Sequence, residues 1–166
     1  MKNLTILFAI TIFSCFCDTK TSDNGILYAK KISNNKYAFF NKNGKKILGD
    51  YDVVYTKILK DYAIVSNPAP VLIDKKGKVV YHIFVVDNGP DYTNEGFYRI
   101  VENGKIGYVD SLTSKLAVPA NYKCAYPFEK GKAKVSNDCN EINDGEYTSW
   151  KSNKWFYINK KGIVIK

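Results

Sequence analysis

The chain of 166 residues has one His, one Met, two Trp and five Pro. Each shortage excludes something. A single His, His82, rules out the common zinc sites, which draw on several His or on paired Cys. Five Pro and eleven Gly rule out collagen-like and low-complexity material. Four Cys in a chain of this length are too sparse for a disulfide scaffold. Of the 25 basic residues only Arg99 is Arg, and the rest are Lys. Arg is the usual tool for bidentate reading of phosphates and bases, so this balance argues against nucleic-acid recognition. No GxSxG, HExxH, P-loop or GxGxxG motif is present, and no local pattern supplies an oriented nucleophile. The expectation is a chain with no catalytic residues, no metal and no cofactor.

What is present is a globular composition, with 45% hydrophobic and 25% charged residues. The length allows one domain or one array of short repeats. The formal net charge is +9, and the lysines are spread along the chain rather than gathered in a block. Such a charge keeps a surface solvated, and it also attracts anionic surfaces such as lipid headgroups, cell-wall polymers or polysaccharides. Thirteen Tyr and nine Phe suit the cores of β-structures.

The N-terminus carries the most specific local signal. Met1-Lys2-Asn3 is basic, Leu4 to Phe13 is an uncharged apolar run, and Ser14 is small. That order is the order of a secretory signal, and the run is too short to span a bilayer. Ile12-Phe13-Ser14-Cys15 resembles a bacterial lipoprotein lipobox, departing from it at Phe13. The resemblance implies cleavage after Ser14 and lipid on Cys15, with several acyl chains giving stable anchoring. Cys17 competes, but bulky Phe16 would then sit at the cut. With Phe16 following Cys15, the expected address is the outer membrane, a secreted or periplasmic protein being the alternative. Residues 1–14 are read as signal, 15–25 as a polar tether and 26–166 as the domain.

That domain repeats itself. Lys36-YAFFNKNGKKIL, Ala69-PVLIDKKGKVV, Lys105-IGYVDSLTSKLAV and Lys154-WFYINKKGIVI share an apolar run, then Asn or Asp, a turn, Lys and a second apolar run. Asn41, Asp74 and Asn159 suit the first position of a type I turn, and Gly44, Gly77 and Gly162 follow where a left-handed backbone is needed. The third segment has a longer loop, Ser111 to Ser114. Asn103-Gly104 is a two-residue hairpin signal. The anchors Asn41, Asp74, Asp110 and Asn159 are separated by 33, 36 and 49 residues, a repeat-like period, with 136–150 as an insertion in the last gap. Lys57 to Val65 is the nearest approach to a helical pattern, and alternation explains it equally. The expected fold is all-β: antiparallel hairpin repeats in an open ribbon or solenoid-like array, or alternatively a closed barrel or partial propeller.

The spacing and pattern over residues 26–166 resemble the WG-repeat proteins of bacteria. The fullest match is Asn103 to Val135, where Pro119, Tyr122, Ala125, Phe128, Gly131, Ala133 and Val135 fall on the second-half pattern; Tyr51-Asp52 also fits. The namesake Trp position holds Tyr37, Pro70, Ile106 and Trp155, and the namesake Gly position holds Ala38, Val71, Gly107 and Phe156, so no unit keeps both. The resemblance implies a β-repeat fold and no shared activity. Lys154 to Gly162 also looks like the aromatic cell-wall-binding repeats that cradle choline, but those recur at about 20 residues, which the spacing here does not fit.

Other candidates are few. Cys124 and Cys139 could close a loop of about 15 residues, worth roughly 3 kcal/mol in an oxidising compartment; the alternative is one buried and one free thiol. His82 reads as a core or sheet-face residue within Val79–Val86, and a pairing of its imidazole with Cys139 has no local support. Asp87–Glu95 and Asp138–Glu146 offer oxygen ligands but lack EF-hand spacing and read as turns. Trp150, Lys154, Trp155, Tyr157 and Lys160 combine aromatic faces with cations and are the binding-surface candidates. Trp155 and Tyr157 share one strand face and Phe156 and Ile158 the other, and one of these faces must be core. The functional expectation is a non-catalytic cell-envelope lipoprotein that binds a protein or an anionic envelope polymer, held to the membrane by its lipid alone. A secreted glycan- or cell-wall-binding protein and, further off, an envelope hydrolase are the alternatives.

Overall fold

The structure, a computed structural model, describes residues 25–32, 35–145 and 147–165. The expected signal segment, Cys15 and Cys17 lie outside the described residues. Every regular element described is a strand, including β5 (Ile58–Leu59) and β6 (Tyr62–Ser66) where the helical pattern was weighed.

Four units follow one plan, an antiparallel three-stranded meander. The first is β1 (Leu27–Lys31), β2 (Tyr37–Phe40) and β3 (Lys46–Tyr51). The second is β6, β7 (Pro70–Asp74) and β8 (Val79–Ile83). The third is β11 (Phe97–Glu102), β12 (Lys105–Asp110) and β13 (Leu116–Tyr122). The fourth is β15 (Lys132–Ser136), β18 (Phe156–Asn159) and β19 (Val164–Ile165). A hairpin of β16 (Asn140–Asp144) and β17 (Tyr147–Lys151) interrupts this last unit between its first two strands. Short strands β4 (Val53–Val54), β9 (Val85–Val86), β10 (Gly89–Pro90) and β14 (Cys124–Ala125) lie in the connections.

The turn between second and third strands explains why these sequences repeat. Asn41, Asp74 and Asn159 each accept two backbone N–H bonds on Oδ1, at 2.8–3.1 Å. Their carbonyls take the N–H of Gly44, Gly77 and Gly162 at 2.9–3.0 Å. Those glycines have φ of +77°, +79° and +76°, a region a side chain strains to enter. In the third unit the loop is one residue longer. Asp110 accepts the N–H groups of Leu112 and Thr113, and Ser114 takes the left-handed position at φ +55°.

The units are joined by an equally regular device. The chain leaving one unit pairs with the first strand of the next. Tyr55 N–H donates to Ile64 O at 3.0 Å, Phe84 N–H to Arg99 O at 3.0 Å and Tyr126 N–H to Lys134 O at 2.9 Å. As a result β13-β12-β11-β8-β7-β6-β4 form one seven-stranded sheet, flanked in sequence by β3-β2-β1-β5 and by β14-β15-β18-β19. None of these sheets closes into a barrel; the architecture is an open all-β repeat array.

Alternation along the strands buries one face at each junction. Phe39, Leu59, Val65 and Ile73 form one cluster, and Leu72, Ile83, Tyr98, Ile100 and Val109 a second. Tyr108, Val118, Phe128, Val135 and Ile158 belong to the third and largest. Each such aliphatic or aromatic side chain contributes roughly 1.5–3 kcal/mol on burial. Gly107 is needed where β12 meets the irregular stretch of β13. A Cβ there would lie 2.7 Å from the backbone of both Ala120 and Val118. In the first unit the demand moves across the ladder: Ala38 occupies β2 and its partner on β3 is Gly49.

Candidate functional site

The fourth unit and the loop leading into it carry the most chemically distinctive surface. On β15, Ala133 and Val135 are buried, so alternation turns Lys132 and Lys134 outward. On β18, Ile158 is buried and Phe156 packs against the same core cluster. The question left open by the sequence is therefore answered: Trp155 and Tyr157 share the outer face, and Tyr157 stands directly across from Lys134. The Lys132 ammonium lies 4.7 Å from the Tyr157 ring centre, and that of Lys134 lies 4.9 Å from Trp155 and 6.0 Å from Tyr126.

Tyr126 is the centre of this surface. Its ring is 5.5 Å from Trp155 and 5.4 Å from Trp150, which in turn meets Phe84 at 5.9 Å. Two half-open grooves flank it. One, of about 640 Å³, is lined by Tyr126, Tyr157, Lys130, Lys132 and Lys134 among others. The other, of about 620 Å³, is lined by Phe84, Arg99, Tyr126, Glu141 and Trp150 among others. Among the described residues neither Lys132 nor Lys134 takes part in an ion pair. Glu129, in the same groove, stands 4.0 Å from Lys130 instead. Both cations are held over rings and unpaired among the described residues, which is an arrangement for meeting an anion.

Buried polar groups fix this surface from beneath. Tyr108 Oη donates to Tyr126 O at 2.6 Å, and burial holds the Tyr108 phenol far above its ordinary pKa, so it stays a donor. Arg99 grips Asp91 through two bonds, Nη2 to Oδ1 at 2.6 Å and Nε to Oδ2 at 2.9 Å. Its Nη1 donates to Ala125 O at 3.0 Å, and its guanidinium lies 4.3 Å from the Phe84 ring centre. Both side chains of the pair are almost wholly buried. A bidentate charged pair of this kind has fixed geometry, and here it sets the positions of both Phe84 and the backbone beside Tyr126.

The remaining candidates fall elsewhere. Lys154 does not join the aromatic face. It pairs with Asp138 at 2.8 Å, and the pairing lowers the Asp138 pKa and raises that of Lys154. Lys160 lies 5.6 Å from the Phe97 ring centre, pairs with Glu95 at 3.1 Å and donates to Glu95 O at 3.2 Å. Glu95 also accepts the Gly131 N–H at 3.0 Å, and its pKa is lowered, first by the Lys160 hydrogen bond and then by that of Gly131. Both lysines were grouped with the aromatics on sequence proximity, whereas carboxylates from other segments claim them.

Cys124 and Cys139 are joined by a disulfide with their Cα atoms 6.3 Å apart. It pins the start of the inserted hairpin to β14, and the Cys139 sulfur is not a thiol beside His82. His82 itself is exposed on the sheet face. Three of the carboxylates weighed as calcium ligands have other partners: Asp91 holds Arg99, Glu95 holds Lys160 and Gly131, and Asp138 holds Lys154. Among the described residues no group of three His, Cys, Asp or Glu could hold a metal ion. No helix among them is long and apolar enough to cross a membrane.

Tyr126, Lys132, Lys134 and Phe84 were not singled out from sequence, and Arg99 was noted only as the sole Arg. The alternation Lys132-Ala133-Lys134-Val135 was the available signal for the two lysines. Tyr126 reaches them only through the pairing of β14 with β15. The fold and this surface define a β-repeat protein bearing an aromatic–lysine face. No family model, no curated protein and no solved structure matches the chain.

Proposed function

We propose that the protein is a non-catalytic recognition module of the cell envelope, exported and anchored through lipid on Cys15, and that its aromatic–lysine face binds an anionic envelope polymer. The observation that carries the reading is the placement of Lys132 and Lys134 over Tyr157 and Trp155 with no carboxylate partner among the described residues. A polymer of acidic sugars offers the two complementary features, a ring to lie on Tyr and Trp and an anion to meet Lys. The net charge of +9 adds long-range attraction to such a polymer. The resemblance to WG-repeat proteins and to a lipobox belongs to the same proposal, since a tethered repeat array would keep the face within reach of the membrane.

Affinity electrophoresis tests the binding claim. The purified protein should be retarded in gels containing polygalacturonate and run freely in gels containing dextran. Equal mobility in both would remove the anionic-polymer reading and leave a protein partner as the alternative. The address is tested separately by fractionation and intact mass. A lipidated N-terminal Cys15 in outer membrane is the expected result, and a soluble product without lipid contradicts it.

A further inference from the structure

The third unit departs from the repeat in two places, and both departures line one cleft. The matching hydrogen bonds of Ile64, Arg99 and Lys134 make Ala63, Tyr98 and Ala133 equivalent. Two units thus bury a methyl group where the third buries a phenol. The second departure is the longer turn, Asp110 to Lys115, with Ser114 where the other units have Gly. Tyr98 and this turn line a half-open cleft of about 660 Å³ between the second and third units, a volume in the range of small-molecule sites.

The chemistry of the cleft is unusual for a repeat junction. Tyr98 is 3% exposed, and its Oη lies beside the Ser114 side chain but makes no hydrogen bond of good geometry to any described residue. A buried hydroxyl left unpaired costs about 1–3 kcal/mol, so its retention asks for a reason. Burial lifts its pKa to about 12, with the Ser114 side chain pulling the other way, so it is a donor at any physiological pH. Lys60, Lys76 and Lys115 stand around the cleft, and among the described residues none of the three takes part in an ion pair. Lys75 is held by Asp61 at 3.4 Å. Ser111 and Thr113 add hydroxyls, and Ile58, Ile64 and Leu72 supply an apolar wall.

We propose that this cleft is a second binding site, separate from the aromatic face, for a small sugar-sized anion carrying a phosphate or a carboxylate. The anion meets Lys60, Lys76 and Lys115, the ring lies against the apolar wall, and a ligand hydroxyl takes the place of the Ser114 side chain beside Tyr98 Oη. The test is calorimetric titration of the full chain with glucose 6-phosphate, glucuronate, inorganic phosphate and glucose. Saturable binding of either sugar anion, at least about tenfold tighter than inorganic phosphate or glucose, is the expected result, and the stronger of the two sugar anions identifies the charged group. A Lys60→Gln/Lys76→Gln/Lys115→Gln variant should lose that binding by about tenfold or more. Tyr98→Phe should weaken it several-fold without lowering the thermal midpoint, since the change removes an unpaired hydroxyl and keeps the ring. Absence of binding by both sugar anions, equal binding of phosphate or glucose, or binding that survives the triple variant overturns the proposal. Lys132→Gln/Lys134→Gln separates the two sites: binding that persists in this variant belongs to the cleft, and binding that it abolishes belongs to the aromatic face and overturns the proposal.

Discussion

Lys134 holds its ammonium 4.9 Å from the Trp155 ring centre, although 21 positions and an inserted hairpin separate the two in sequence. The contact exists because β15 and β18 are neighbours in the sheet while β16 and β17 fold away between them. A hydrophobic core on the other face of β15 and β18 keeps the pair facing outward.

Removing the two cations should separate binding from folding. Lys132→Gln/Lys134→Gln deletes charges that make no ion pair among the described residues and removes only surface cation–π contacts, so stability should fall by no more than about 2 kcal/mol in urea denaturation. Retardation by an acidic polysaccharide should fall about tenfold. A larger loss of stability would instead assign these lysines a structural role.

Arg99 and Asp91 should behave in the opposite way. Both are buried, and Arg99→Met leaves the Asp91 carboxylate without its bidentate partner. Breaking one side of a buried pair costs about 3–5 kcal/mol. Replacing both, as Arg99→Met/Asp91→Leu, should recover a large part of that loss. A urea series on the two single variants and the double variant reads the coupling directly.

Three glycines should rank in a fixed order when changed to Ala. At Gly44 the added Cβ meets nothing within 4 Å, so only the φ of +77° is penalised, at about 1 kcal/mol. At Gly162 the Cβ would also press on Val118 Cγ1 at 3.1 Å, adding to a similar φ penalty. Gly107→Ala should be worst, because the obstruction is backbone at 2.7 Å and overpacking adds about 1–3 kcal/mol. Thermal melts of the three variants test the order.

Alkali should destabilise the protein through its buried phenols. Tyr98 and Tyr108 have folded-state pKa values raised by burial, that of Tyr98 to about 12. A raised folded value means that the stability is fully present below the unfolded value of about 10, and is lost as pH rises from there toward 12. Stability should therefore hold up to about pH 10 and fall between 10 and 12, and Tyr98→Phe should shallow that fall. At the acid end Glu95, whose pKa is lowered, contributes above its unfolded value, and that contribution disappears as pH falls through the folded value. Glu95→Gln should remove part of the acid limb of a pH–melting curve.

Much of the array was legible because its turns are local chemistry. Asn41, Asp74 and Asn159, each three residues before a Gly, specify a turn within five residues, and the structure uses all three in one way. Asn103-Gly104 likewise forms the tight connection of β11 to β12, both residues having positive φ. The site was only half legible, because its contacts are not local. Trp150, Trp155 and Tyr157 were found as aromatics, but Tyr126 joins them through a strand pairing that no short window contains. The ion pairs of Lys154 and Lys160 were hidden for the same reason, their partners Asp138 and Glu95 lying 16 and 65 positions away. Arg99 drew notice as the sole Arg, but its role depends on a loop that turns Asp91 back beneath it.

The most direct test of the aromatic–lysine face is a two-dimensional NMR titration of the purified protein with a short galacturonate oligomer. The account predicts that the Trp155 and Trp150 indole N–H signals and the backbone amides of Tyr126, Lys132, Lys134 and Tyr157 shift together and saturate. Added salt should reverse these shifts. Absence of saturable shifts in these groups, or shifts that a neutral dextran oligomer reproduces equally, would contradict it.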